Sequence, residues 1–200
     1  MIRRIYDICS STGLRTYVLT DSEEICKVIP NGDALMTDGY SDLPPRNGTE
    51  RCSIAAAHIK DLAEHDYFIN VQGDMPDITP EMIHKVRALL DHYTVSTLYT
   101  DLPENMKEDP NTVKMITNGD IAHWFGRGFK YGHHHLGIYG YRKTALKSYY
   151  HRAPSEYEII EELEQLRWFE GGLRIGVDMV QFNGIEINTP EDAERWNAND

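Results

Sequence analysis

The stretch Tyr67-Phe68-Ile69-Asn70-Val71-Gln72-Gly73-Asp74, with Thr79-Pro80-Glu81 shortly after it, decides the fold class. Its first part is a near-continuous apolar run of strand length, the kind buried on both faces of a parallel sheet. Gln72-Gly73-Asp74 ends the run in a turn. Thr79-Pro80-Glu81 then supplies a capping hydroxyl, a proline suited to the first helical position and an acid for the first turn. Ile83, Val86, Leu89 and Leu90 follow at helical spacing. A buried strand that ends in a polar turn and feeds an amphipathic helix is the building unit of an α/β sheet.

The same alternation extends in both directions. Upstream, Ile2, Ile5, Ile8 and Cys9 predict a helix, Thr16-Tyr17-Val18-Leu19-Thr20 a strand, residues 22–29 a helix and Ala34-Leu35-Met36 a short strand. A further helix is expected to begin at Thr49, capped by its hydroxyl, with Ile54, Ala57 and Ile59 on its apolar face. Downstream, strands are predicted at 95–100, 112–117, 121–125, 136–141 and 174–181. Ser155-Glu156-Tyr157-Glu158 reads as a capping box opening a long helix that ends near Gly171-Gly172, and Thr189-Pro190-Glu191-Asp192 opens a last one. The reading is one three-layer α/β domain over residues 1–200, its first-half strands parallel and joined by right-handed crossovers. Ligands in such sheets bind beyond the carboxyl ends of the strands, which directs attention to Asp21, to Gln72-Gly73-Asp74 and to the loop 37–51.

Composition narrows the function classes. A chain of 200 residues with 40% hydrophobic and 26% charged residues is neither a disordered polyampholyte nor a fibrous repeat. Lys and Arg number 20 against 32 Asp and Glu, and the net charge of −12 repels a phosphate backbone, so no nucleic-acid partner is expected. No apolar run reaches the roughly 18–20 residues of a membrane span, and Met1-Ile2-Arg3-Arg4 leads to Asp7 rather than to a secretory apolar core. No membrane partner is expected either. Cys9, Cys26 and Cys52 are odd in number and lack metal-ligand spacing, which suits reduced thiols and a cytoplasmic location.

Individual side chains suggest chemistry only weakly. Asp74, at the end of a strand, is placed to bind a divalent cation that holds phosphate oxygens, or simply to form a turn. Asn47-Gly48-Thr49-Glu50-Arg51 offers free backbone amides at a loop-to-helix junction, and its plainer reading is an ordinary cap. His133-His134-His135 precedes a strand, where neighbours point to opposite faces and three imidazoles do not converge on one ion. Glu164 and Arg167, three apart on the predicted long helix, read in isolation as a solvated ion-paired face.

Together these phrases carry more. Asn47-Gly48-Thr49-Glu50-Arg51, Asn70-Val71-Gln72-Gly73-Asp74-x-Pro76, Asp109-Pro110-Asn111-x-Val113-Lys114, His135-Leu136-Gly137-Ile138-Tyr139-Gly140-Tyr141-Arg142, Leu163-Glu164-Gln165-Leu166-Arg167 and Asn188-Thr189-Pro190-Glu191-Asp192 occur in this order. The chain resembles, almost end to end, the 3-deoxy-manno-octulosonate cytidylyltransferase family, also called CMP-KDO synthetases. The resemblance implies a nucleotide-diphospho-sugar transferase-like, Rossmann-like mixed sheet. It also implies attack of the anomeric hydroxyl of KDO on the α-phosphate of CTP, giving CMP-KDO and pyrophosphate for lipopolysaccharide or a similar surface glycan. Mg2+ is the implied cofactor and a homodimer the implied assembly. By the same resemblance Asp74 and Arg127 are catalytic; Gly48, Thr49, Arg51, Gln72 and Asp74 bind the nucleotide; Arg127, His135, Tyr139, Glu164 and Gln165 bind the sugar acid; and Asp74 and Asn188 hold the metal.

The chain departs from the family's pattern in three places. Met1-Ile2 aligns with the start of the family's first helix, so the first strand and its basic phosphate loop are expected to be missing. Asn188 stands where the family places a second metal-binding aspartate, and Glu186, two residues earlier, is positioned to share its face on an extended segment. The loop between Arg127 and His135 is short, which leaves a related ulosonic acid open as substrate. Three readings follow: an active enzyme whose true start lies upstream or whose missing part another polypeptide supplies, a minimal enzyme using Arg46, Arg51 or Lys114 for the triphosphate, and a degenerate homologue that binds nucleotide, sugar or a partner without catalysis.

Overall fold

The computed structural model describes residues 1–41, 44–187 and 189–199. In chain order the elements are α1 (Ile2–Ser11), β1 (Val18–Thr20), α2 (Glu23–Val28), β2 (Ala34–Met36), α3 (Gly48–His58), α4 (Lys60–Ala63), β3 (Tyr67–Asn70) and α5 (Pro80–Leu89). They continue with β4 (Val95–Asp101), β5 (Lys114–Asn118), β6 (Ile121–Gly126), β7 (His133–Arg142), α6 (Lys143–Tyr150), α7 (Glu156–Glu161), α8 (Leu166–Glu170), β8 (Ile175–Met179) and α9 (Pro190–Asn199).

The strands form two sheets, a parallel pair β1–β2 and a six-stranded sheet in the order β3-β7-β4-β8-β6-β5. The larger sheet is mixed. β3 and β4 both run antiparallel to β7, and therefore in the same direction as each other, while β4 and β8 are parallel. The crossover predicted from the strand–helix alternation is thus present in α5, but β7 lies between the strands it joins. β7 runs antiparallel to β3, to β4 and, at Lys114–Met115, to β5, and it is not paired with β6, the strand just before it. As a result β3 is an edge strand whose four residues are half-buried, not a strand buried on both faces.

Helices cover both faces, as a three-layer domain requires. On one face Ile5 of α1 and Met82, Ile83 and Val86 of α5 pack on Leu98, Leu136 and Ile138. On the other, Cys52 and Ala56 of α3, Tyr149 of α6 and Trp168 of α8 pack on Tyr139 and Tyr141. β7 serves both cores because alternate side chains point to opposite faces. β1 pairs only with β2 and β3 only with β7 among the described residues. Between these two strands lies a cavity of about 730 Å3, walled by Ile2, Ile5, Leu19, Phe68 and Ile69.

Three local expectations are corrected. The cap of α3 is Asn47, whose side chain accepts the Glu50 amide at 2.8 Å, while the Thr49 hydroxyl is buried against the Tyr141 hydroxyl at 2.7 Å. Ala57 is exposed and Ile59 ends that helix, so its buried side is Thr49, Cys52, Ser53, Ile54, Ala55 and Ala56. The predicted long helix is two short ones, α7 and α8. The Ser155–Glu158 capping box forms as expected, but Glu162 adopts a left-handed conformation (φ 54°) that stops α7 and turns the chain before Leu166. Glu164 and Arg167 therefore do not share a solvated face. No helix among the described residues is long and apolar enough to cross a membrane, and Cys9, Cys26 and Cys52 are free thiols.

Candidate active site

β3 ends at Asn70 and delivers Gln72 and Asp74 into a turn at the mouth of a second cavity, about 660 Å3 in volume. Gln72 is fixed there by donating its side-chain amide to the Gly137 carbonyl at 3.0 Å. The approach is close, since a Cβ added to Gly137 would stand 2.8 Å from the Gln72 nitrogen. A Cβ on Gly48 would likewise stand 2.8 Å from the side-chain nitrogen of Asn70, the far end of a side chain that can shift.

The walls of this cavity are acidic. Asp74, Glu158, Glu162, Glu164 and Glu186 face it, against Arg46 and Arg127. Burial pushes the Asp74 carboxyl up. Burial, and then the Asp74 charge, push Glu186 up to about 7, with a backbone hydrogen bond from Gly137 opposing. The two carboxylates are brought together by main chain, as the Ile187 amide donates to the Asp74 carbonyl at 2.9 Å. Asp74 Oδ1 and Glu186 Oε1 are both buried without a hydrogen-bond partner.

His135 packs between Phe125 and Tyr139, with Nε2 2.9 Å from the Thr97 hydroxyl. Burial, then the neighbouring His134 and Arg127, lower its pKa to about 3, so the ring is neutral at ordinary pH. The three adjacent histidines do not converge, and no group of three metal-ligating side chains occurs among the described residues. Arg127 donates from its guanidinium to the Asn111 and Pro110 carbonyls. Gln165 is 1% exposed and its side-chain nitrogen has no partner.

Comparison with known proteins fits this geometry. The cytidylyltransferase family model matches residues 1–175. The 3-deoxy-manno-octulosonate cytidylyltransferase of Rickettsia rickettsii (strain Sheila Smith) is 35% identical over 206 residues, covering 98% of this chain and 84% of that protein. The chain belongs to the 3-deoxy-manno-octulosonate cytidylyltransferase family. Its Brucella ovis relative of the same name is 34% identical over 98% of this chain and 83% of its own length. A solved CMP:2-keto-3-deoxy-manno-octonic acid synthetase complexed with CTP superposes with a TM-score of 0.86 at 28% identity, covering 98% of this chain and 86% of that one. HddC from Yersinia pseudotuberculosis, at 15% identity, TM-score 0.67 and coverages of 96% and 82%, shares the fold.

Within this cytidylyltransferase fold the residues predicted from sequence separate into two groups. Arg127, His135, Tyr139, Glu164 and Gln165 line the 660 Å3 cavity. Gly48, Arg51, Gln72 and Asp74 line the 730 Å3 one. Gly48, Gln72 and Asp74 border both, so the expected nucleotide and sugar sides meet at Asp74. Thr49 lines neither, being fully buried. Arg51 is held by Thr37 at 2.7 Å and Asp21 at 3.0 Å. Glu164 is partly committed, since it accepts the Thr49 amide at 2.9 Å, and its deep burial pushes its carboxyl up. Asn188 lies outside the described residues.

Sequence reasoning placed Glu158 only in a capping box and missed the network around it. Arg167, 3% exposed, donates to Glu158 at 2.6 Å and to Glu50 at 2.9 Å, and its guanidinium lies 3.8 Å from the Tyr149 ring centre. Arg46 pairs with the same Glu50. The Leu163-Glu164-Gln165-Leu166-Arg167 phrase flagged the segment, but its apparent helical spacing hid which carboxylates Arg167 meets.

Proposed function

We propose that the chain is a 3-deoxy-manno-octulosonate cytidylyltransferase that joins KDO to the α-phosphate of CTP and releases pyrophosphate. The observation that carries this reading is the position of Asp74, with Gly48 and Gln72, on the border between two cavities, one walled by the five residues of the sugar set and the other by Arg51. A phosphoryl centre passing from one ligand to the other has to sit where both cavities open, and most of the catalysis is positioning plus charge stabilisation.

CTP is placed along Gly48, Arg51 and Gln72. KDO is placed along Arg127, His135, Tyr139, Glu164 and Gln165, with the guanidinium of Arg127 taking its carboxylate. The unpartnered Gln165 amide supplies a donor for a sugar hydroxyl, and neutral His135 serves as an uncharged hydrogen-bonding wall. An acid-lined cavity repels a triphosphate unless a divalent cation intervenes, and the orphaned oxygens of Asp74 and Glu186 suit Mg2+, which takes one or two carboxylates together with phosphate oxygens. Mg2+ bound there supplies charge neutralisation and Lewis-acid polarisation of the phosphate oxygens.

The surrounding proposals are narrower. Ile159 and Ile160 on α7, 66% and 65% exposed, support a homodimer. Three free thiols support a cytoplasmic location, and a CMP-activated sugar acid supports a role in lipopolysaccharide synthesis.

The test is pyrophosphate release from CTP and KDO with and without Mg2+, using Asp74→Asn as control. Mg2+-dependent release abolished by the substitution is the expected result. Folded protein that binds CTP or KDO without turnover would favour a homologue that no longer catalyses.

A further inference from the structure

Lys114 begins β5 and is 1% exposed, an unusual place for an ammonium group. Burying a charge is expensive unless it is closely paired, and a methionine would fill similar space without that penalty. The Lys114 Nζ donates to two main-chain carbonyls, Asp109 at 2.7 Å and Arg127 at 3.1 Å. These belong to segments 18 residues apart, which the Arg127 guanidinium also joins.

Both segments reach the 660 Å3 cavity through Asn111, Val113 and Arg127. The first is a tight turn, in which the Asp109 carboxylate accepts the Asn111 amide and the Thr112 hydroxyl, each at 2.9 Å. The Arg127 guanidinium leans back on that same turn through the Asn111 and Pro110 carbonyls. The Arg127 main chain is held on its other side by the Glu161 carboxylate, which accepts its amide at 3.3 Å. Lys114 is therefore the pin between the backbone that carries Arg127 and the turn against which its guanidinium rests.

We infer that Lys114 is a positioning residue for Arg127, orienting its guanidinium toward the carboxylate of the sugar acid. The inference rests on the reading of Arg127 as the sugar-carboxylate partner. Lys114 itself lines neither cavity. Its effect is expected to fall on the sugar acid, because Asn111 and Arg127 line the 660 Å3 cavity and neither lines the 730 Å3 cavity that holds Arg51.

The experiment measures kcat and both KM values for the wild type, Lys114→Met, Arg127→Ala and the double variant. Lys114→Met is expected to raise KM for KDO by about tenfold or more, with KM for CTP changed by less than about twofold. In the Arg127→Ala background it is expected to add less than about a further twofold, since a residue that acts through another has nothing left to orient. A merely structural lysine would move both KM values together, or multiply its effect with that of Arg127→Ala, and either result overturns the inference. A raised KM for KDO in Arg127→Ala with none in Lys114→Met overturns the role of Lys114 and leaves Arg127 standing. An unchanged KM for KDO in Arg127→Ala overturns both. Should Lys114→Met fail to fold, Lys114→Arg carries the same test, because it keeps the charge while displacing the two carbonyls. The same split between the substrates is expected there, and equal effects on both overturn the inference.

Discussion

The Glu164 carboxylate accepts the backbone amide of Thr49 at 2.9 Å, a hydrogen bond that joins residues 115 apart in the chain. Thr49 lies in the first turn of α3, where amides have no partner within the helix. The turn between α7 and α8 thus completes the cap that Asn47 begins. Glu164→Ala is expected to lower unfolding free energy by about 1–3 kcal/mol, the consequence of a buried amide left unsatisfied. Glu164→Gln keeps an acceptor and removes a buried charge, so it is expected to match or exceed wild-type stability. Urea titration of both variants checks the contrast.

Divalent-cation binding can be measured apart from turnover. Asp74→Asn is expected to lower Mn2+ affinity at least tenfold, and Glu186→Gln to lower it measurably, as read by electron paramagnetic resonance of free Mn2+. Unchanged affinity in Glu186→Gln would remove that carboxylate from the site.

Arg167 is the centre of a buried charge cluster with Glu158, Glu50 and, through Glu50, Arg46. Removing it strands carboxylates in a poorly solvated place. Arg167→Met is expected to destabilise the fold by about 3–5 kcal/mol. Thermal or urea unfolding gives the value, and a loss under about 1 kcal/mol would mean that the cluster is solvated in solution.

Acid should weaken the fold through two groups. His135 has its pKa lowered to about 3 chiefly by burial, so between its ordinary value of 6.5 and about 3 the unfolded chain binds a proton that the folded chain does not. Stability therefore falls as pH drops across that window. Burial alone would raise the Glu50 carboxyl, but hydrogen bonds from Arg46 and Arg167 hold it at about 2, so its contribution is present above 4.5 and is lost toward 2. Glu186, pushed up to about 7, acts in the opposite sense between 7 and its ordinary 4.5, so urea unfolding from pH 7 to 5 is expected to show a steeper decline in Glu186→Gln than in the wild type, a decline that His135→Asn flattens and that Glu50→Gln leaves in place.

Much of this was legible in the sequence, and the failures have physical causes. Strong local chemistry read correctly: the Thr79-Pro80-Glu81 start forms α5, with the Thr79 hydroxyl accepting the Met82 amide, and the Ser155–Glu158 capping box forms as written. The place of β7 between β3 and β4 was not readable, because strand order is set by long-range pairing and not by local pattern. The break at Glu162 was hidden, since a glutamate with positive φ carries no sequence signature. The residues expected to form the site were named through phrases shared with a family, and the described ones, Thr49 apart, line one or both cavities. Their arrangement around two adjoining cavities, the burial of Thr49 and the clamp at Lys114 depend on contacts between distant segments.

The cavity between β1 and β3 has a consequence for how the chain behaves when concentrated. Each strand shows one ladder partner among the described residues, and each presents its other edge to a gap lined with apolar side chains. Such an edge is a template for pairing with another chain. Losses to precipitation would then scale with protein concentration, and because the same gap carries Gly48, Arg51 and Gln72, CTP is expected to slow them, so colloidal behaviour and nucleotide binding in this molecule draw on one part of the fold.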